Sequence, residues 1–135
     1  MTVEEAVSLL KKHKHGRLGL ALNNEPYVVP VSYGYKDGRI YFHSALKGKK
    51  IDLMKSNSRV CFEIDEWEKD KGWASVICYG TVYLKQDLES RQAFLEAMFG
   101  SKQIPASRET EIRNYVGIIE ISELTARCSA DFKTL

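Results

Sequence analysis

Pro26-Tyr27-Val28-Val29-Pro30-Val31-Ser32-Tyr33-Gly34-Tyr35 is followed without a break by Lys36-Asp37-Gly38, by Arg39-Ile40-Tyr41-Phe42-His43-Ser44-Ala45, and by Leu46-Lys47-Gly48-Lys49-Lys50-Ile51-Asp52-Leu53-Met54-Lys55-Ser56-Asn57. The first run is β-branched and aromatic, which favours a strand. Asp37-Gly38 supplies a tight turn, because glycine tolerates positive φ. The third run returns as the partner strand. The period then changes: Leu46, Lys49, Lys50, Leu53 and Met54 fall at helical spacing, and the helix ends near Asn57. A hairpin therefore delivers His43 and Ser44 to the mouth of a helix whose first turn carries Lys49 and Lys50. Free backbone N–H groups, a hydroxyl and two ammonium groups are the donors that a phosphate monoester requires. The plainer alternative is a solvated helix face made of Lys47, Lys49, Lys50 and Lys55, and the residues alone leave both open. Pro30 cannot donate to a ladder, so it marks an edge strand, a bulge or a place where a ligand lies alongside.

Upstream of this stretch, Thr2 and Glu5 form a capping-box pattern ahead of an apolar stripe, Val3, Ala6, Val7, Leu9 and Leu10. A short amphipathic helix ending near Gly16 is expected, then a strand over Arg17–Leu22 and a turn at Asn23-Asn24-Glu25-Pro26, closed by Pro26. His13 and His15 are expected to be solvated rather than metal-bound. Downstream, Ser58–Asp65 alternates as a half-buried strand, and Glu66–Gly72 reads as an exposed charged loop between Trp67 and Trp73. Ala74–Leu84 is a long strand with a bulge or bend expected at Gly80. Asp87 caps a helix that Gly100 stops, Ser101–Thr110 is a loop, and Tyr115–Ile121 is the last strand. Leu124–Leu135 has no assignment. Six short strands with flanking α-helices point to a mainly β, antiparallel barrel in a single domain over 1–135.

Composition narrows the function. A net charge of +2 is too small to argue for nucleic acid, and no apolar run reaches the length of a membrane span. Met1–Lys14 lacks the apolar core of a signal peptide, so a cytoplasmic location is expected. Cys61, Cys78 and Cys128 are widely spaced, without a Cys-x-x-Cys pair, and read as small apolar residues in or near strands. No Ser-His-Asp, paired-carboxylate or metal constellation is evident, so no metal is assigned and the catalytic residues stay unassigned.

Tyr41-Phe42-His43-Ser44, Gly48-Lys49-Lys50 and Asn57-Ser58-Arg59-Val60, in that order, resemble the flavin-binding split-barrel family around pyridoxamine 5′-phosphate oxidase. The likeness runs from about Gly16 to Ile121 and is nearer to short members such as the nitroimidazole-resistance proteins. It implies a six-stranded antiparallel split β-barrel binding FMN, in a homodimer whose cofactor site lies at the subunit interface. Carried over by position, Val28, Val29, Pro30, Val31, Ser32 and Tyr33 would lie along the isoalloxazine ring and offer it backbone groups. His43 and Ser44 would stand near the phosphate and ribityl chain, Lys49 and Lys50 would hold the phosphate, and Ser75 would touch the flavin from the long central strand. Two departures matter. Lys49, where the family often has arginine, is a point charge rather than a bidentate fork. The oxidase proper has a further C-terminal segment, carrying an arginine and a tryptophan, that is not found here, which argues against activity as a vitamin B6 oxidase.

The function expected is therefore that of an FMN-dependent oxidoreductase acting on a small molecule, with a reduced nicotinamide nucleotide as donor. The alternative is a flavin or haem carrier without turnover, His43 being the residue that keeps haem conceivable.

Overall fold

The computed structural model describes residues 1–100 and 114–132. Along the chain come α1 (Val3–Lys12), β1 (His15–Leu22), β2 (Glu25–Ser32), β3 (Gly34–Lys36), β4 (Arg39–Ser44), α2 (Lys49–Ser56), β5 (Arg59–Glu68), β6 (Gly72–Lys85), α3 (Leu88–Phe99) and β7 (Tyr115–Cys128). The strands form one 7-stranded sheet in the order β2-β1-β5-β6-β7-β4-β3, and every neighbouring pair is antiparallel. β2 and β3 are the two ends of that order, yet only Tyr33 separates them in the chain. The sheet must curl until its two edges lie close, and it stays unclosed because β2 and β3 do not pair.

The strand count corrects the sequence reading, which expected six strands and one long hairpin. The run from Pro26 to Tyr35 is two strands because Tyr33 turns into the core. Its hydroxyl donates to the Leu10 carbonyl at 2.7 Å and its amide to the Lys14 carbonyl at 2.9 Å. The amide bond continues the β1–β2 register one residue past His15↔Ser32, and beyond Tyr33 the chain changes partner. β2 pairs with β1 from Leu22↔Glu25 to His15↔Ser32, whereas β3 alone pairs with β4. The expected turn is present, with φ of 49° at Asp37 and 79° at Gly38, a two-residue type I′ connection. Gly34 is required where it stands, since a Cβ there would lie 2.5 Å from the Ala97 backbone of α3.

Two further strands run longer than the sequence suggested. β5 continues through Trp67 and pairs it with Trp73, so the charged segment shrinks to a tight turn at 69–71. β7 continues to Cys128, opposite Ala74, placing part of the unassigned tail in the sheet. The register slips between Tyr79 and Gly80, at the glycine where a bulge was expected. The expected loop at Ser101–Thr110 lies outside the described residues.

Alternation sorts the side chains. Leu18, Leu20, Ile40, Phe42, Val60, Phe62, Ile64, Val76, Cys78 and Ile119 fill the barrel. α1 closes one end with Ala6, Leu9 and Leu10, and α2 closes the other with Ile51 and Met54. Side chains of this size stabilise by roughly 1.5–3 kcal/mol each when fully buried. α3 lies outside, where Phe94 packs with Tyr41 and Val116 over β4 and β7. Among the described residues no helix covers the outer face of β2, β1, β5 and β6.

Candidate functional site

The mouth of α2 is where local sequence and fold leave donors unused. β4 ends at Ser44, and the chain enters α2 through Gly48, the N-cap, with φ 134° and ψ 172° and no side-chain acceptor. That backbone region is essentially restricted to glycine, and a Cβ built there would meet nothing within 4 Å. The first amides of a helix have no acceptor within the helix, so those of α2 face outward unanswered by a cap. Lys49 Nζ lies 5.0 Å from the centroid of the Tyr27 ring, which ties the helix start to β2. Among the described residues neither Lys49 nor Lys50 forms an ion pair. At the other end of α2, Lys55 Nζ lies 5.2 Å from the Tyr115 ring.

β2 is an edge strand, as Pro30 allowed. Val28, Pro30 and Ser32 point outward, while Val29, Val31 and Tyr33 face the core side. The Tyr33 side chain is committed to Leu10, and burial pushes its phenol well above the ordinary tyrosine range, so it stays a neutral donor. His43 and Ser44 do not share a face. Ser44 is 3% exposed and its hydroxyl has no hydrogen-bond partner among the described residues. His43 points to the opposite side, where its ring meets Phe94 of α3 edge-on with centroids 5.6 Å apart. Ser75 lies farther off. It stands on the outer face of β6, paired with Asp65 and Arg127. β6 is three strand spacings from β2, roughly 14 Å. Within one chain, then, the structure brings Lys49 at the start of α2 to Tyr27 of β2 and leaves His43 and Ser75 on other surfaces.

The outer face adds residues that the sequence did not single out. An open groove of ≈ 560 Å³ has Gly19, Ala21, Val28, Cys61 and Tyr79 on its floor and Arg59 at its rim. Gly19 is the signal that could have found it: a Cβ there would sit 2.5 Å from Cys61 Sγ, and glycine inside a strand marks such close approaches. Arg59 Nη1 donates to Ser122 Oγ at 2.8 Å, and that hydroxyl donates to the Tyr79 carbonyl at 3.1 Å. Trp67 is 72% exposed and Trp73 42% exposed, so neither is a core residue of this chain.

Charged pairs elsewhere on the sheet are structural. Arg17 Nε and Nη2 donate to Glu63 Oε1 at 2.8 and 2.5 Å, and Nη2 also reaches Asp65 Oδ2 at 2.7 Å. Burial, with Asp65 close by, holds the Glu63 carboxyl above the ordinary carboxylate range despite Arg17. His13, expected in solvent, has Nε2 2.6 Å from Glu66 Oε1, and Lys12 Nζ reaches the same oxygen at 2.8 Å. Burial alone would raise Glu66, but the hydrogen bonds from Lys12 and His13 together hold it below its usual range. Burial pushes the Cys78 thiol up to about 12, which removes it as a nucleophile. Among the described residues no cluster of three or more His, Cys, Asp or Glu is placed to hold a metal.

The pyridoxamine 5′-phosphate oxidase family model matches residues 2–128. The chain belongs to that family. A FAD-binding protein of Mesorhizobium loti is 28% identical in sequence, with a TM-score of 0.76 over 96% of each chain. A candidate 5-nitroimidazole antibiotic resistance protein of Bacteroides thetaiotaomicron is 21% identical, with a TM-score of 0.77 over 94% of this chain and 84% of that one, and shows the same fold. An uncharacterized protein of Rhizobium meliloti strain 1021 is 34% identical over 80 residues, 59% of this chain and 52% of the relative. The chain thus spans about half the length of that curated relative. The open, antiparallel, helix-flanked sheet is the split-barrel fold of this family.

Proposed function

We propose that this protein binds FMN, with its phosphate at the mouth of α2, and acts as an oxidoreductase. The observation that carries the reading is the start of α2: Gly48 brings no cap, and Lys49 and Lys50 have no ion-pair partner among the described residues. A dianionic phosphate suits that donor set, while the free edge of β2 leaves backbone groups for the polar rim of the ring. A bound flavin supplies hydride and electron transfer; the protein supplies binding, orientation and exclusion of water. The proposed reaction takes electrons from a reduced nicotinamide nucleotide to a small oxidised substrate in the cytoplasm.

The same reading makes the protein a homodimer. Exposed Val28, Trp67, Trp73 and Tyr79 lie on the uncovered outer face, and a second copy seated there would bury them. A shared site would also explain why Ser75 stands so far from β2 in one chain. Sedimentation tests this: a monomer at all concentrations with flavin bound would overturn the shared site.

A second reading, FAD in place of FMN, is favoured by the name of the Mesorhizobium loti protein. The absorption spectrum of the purified protein is the first test. A yellow preparation that reconstitutes with FMN better than with FAD or riboflavin is expected. A colourless protein that takes up none of the three would sink the proposal. Flavin-dependent oxidation of a nicotinamide nucleotide then separates an enzyme from a carrier.

A further inference from the structure

Ser75 and β2 share the outer face but stand three strands apart, in the order β2-β1-β5-β6. Contacts across a two-fold axis are reciprocal: if Ser75 of one copy faces β2 of the other, the reverse contact forms as well. The axis then passes over the midpoint between Ser75 and β2. The strand registers locate that midpoint. Ser75 pairs with Asp65 of β5, and Ser32 of β2 pairs with His15 of β1. One step along the strands, Glu63 pairs with Arg17 and Arg17 with Pro30. Whether Ser75 faces Pro30 or Ser32, the midpoint falls between β1 and β5, among His15, Arg17, Glu63 and Asp65. Alternation along β1 and β5 puts all four side chains on the outer face.

Within one chain this cluster is a structural ion pair; at a two-fold axis it meets a copy of itself. Arg17 Nε and Nη2 donate to Glu63 Oε1, and Nη2 also donates to Asp65 Oδ2 at 2.7 Å. Two carboxylates therefore share one guanidinium, which leaves one surplus negative charge in each copy while His15 is neutral. In the single chain water reaches that charge, since the Asp65 side chain is 50% exposed and that of Glu63 29%. A second copy seated there removes the water and brings two surplus charges together, so desolvation and repulsion both oppose it. Exchanging guanidinium partners between the copies does not alter the balance. The outer-face neighbours on β2 and β6 are Pro30, Ser32, Ser75 and Ile77, none of them charged. Arg127 of β7 lies beyond Ser75, two strand spacings or about 10 Å from Asp65.

We propose that formation of the dimer takes up protons at the Glu63–Asp65 carboxyl pair on the two-fold axis, so that acid assembles the shared flavin site and alkali takes it apart. This rests on the shared site proposed for the flavin. One proton in each copy leaves one carboxylate for each guanidinium. Burial, and then the nearby Asp65, already hold the Glu63 carboxyl above its ordinary range in one chain despite Arg17. Covering the pair removes more water and acts in the same direction. The dimer therefore binds more protons than two free chains. It is favoured as pH falls and is lost as pH rises through the raised value.

Sedimentation of the full chain, flavin-free and loaded with FMN, tests this from about pH 5.5 to about pH 8.5. Each proton taken up changes the dissociation constant of the dimer by about tenfold per pH unit, so one proton in each copy sets a limit of about a hundredfold. The dimer should weaken at least about tenfold across the range as pH rises. Glu63→Gln keeps the shape and removes the surplus charge, so it should tighten the dimer at the alkaline end and flatten the profile. Asp65→Asn, at the more exposed of the two positions, should do the same. A dimer equally tight at every pH overturns the proposal and leaves the shared site standing, since Arg127 of the second copy would then balance the charge. A profile that survives both substitutions and vanishes in His15→Gln also overturns it, because the proton would then sit on the imidazole. A chain that stays monomeric at every pH with flavin bound overturns the shared site itself, and the axis with it.

Discussion

The three helices among the described residues begin in two different ways. In α1, Thr2 Oγ1 accepts from the Glu5 amide and Glu5 Oε1 accepts from the Thr2 amide, both at 3.1 Å. In α3, Asp87 accepts from both the amide and the hydroxyl of Ser90. These starts are closed by their own residues, and all three described helices carry an acid in the first turn, Asp52 in the case of α2. α2 starts on a glycine that offers no acceptor, followed directly by two lysines. Near the positive end of a helix dipole two cations are unfavourable, and Asp52 in the same turn offsets only one of them. The open start of α2 is the feature on which the proposed phosphate site rests.

The largest effects should come from the lysines. Lys49→Ala and Lys50→Ala should each weaken FMN by about tenfold to a hundredfold, roughly 1.5–3 kcal/mol, and barely change riboflavin. Fluorescence titration of both ligands checks this. Equal losses for the two ligands would erase the contrast between α2 and the other helices, because the lysines would then act through folding.

Gly48→Ala should cost about 1–3 kcal/mol in denaturant unfolding, since the strain is in the backbone and not in any contact. A neutral result would mean that the α2 entrance can relax into an ordinary conformation. At the closed starts, Thr2→Ala and Asp87→Ala should each cost about 1 kcal/mol of stability and leave FMN affinity unchanged. A change in affinity at either would show that all three helix starts serve the ligand.

The smallest effect is the pH dependence of the α3 cap. Hydrogen bonds from the hydroxyl and the amide of Ser90 hold the Asp87 carboxyl below its ordinary range. Its contribution is therefore complete above the unfolded value of about 3.9 and is lost as pH falls through the lower folded value. The stability difference between the parent protein and Asp87→Ala should be constant from pH 7 to 5 and shrink below about pH 4. A difference that persists in acid would mean the cap works without its charge.

Much of the fold could be read from local chemistry. The capping box at Thr2, the Asp37-Gly38 turn, the slip at Gly80 and the stop at Gly100 are short-range features, each determined by residues a few positions apart. The element order follows from the change of period at Leu46 and the alternation from Val60 to Ile64. The run through Tyr33 misled because its β-branched pattern is the same whether it makes one strand or two. What divides it is a change of partner at Tyr33, from β1 before it to β4 after it, with the Tyr33 hydroxyl anchored on Leu10, 23 residues away in the chain.

The candidate site divides along the same line. Lys49 and Lys50 in the first turn of a helix are legible in the sequence, whereas the uncapped start at Gly48, two residues after Leu46 where helical spacing was expected to begin, is seen only in the structure. The family is legible too, through motifs that keep their order along the chain. Which face each side chain takes was decided only by tertiary structure. His43 and Ser44 are neighbours in sequence, yet the pleat sends one to α3 and the other into the interior. Arg91 looks like any surface arginine of a helix, yet in the fold its Nε and Nη2 are shielded from solvent. A sequence fixes spacing along one dimension, whereas burial depends on what the remaining strands and helices bring over each residue from far along the chain.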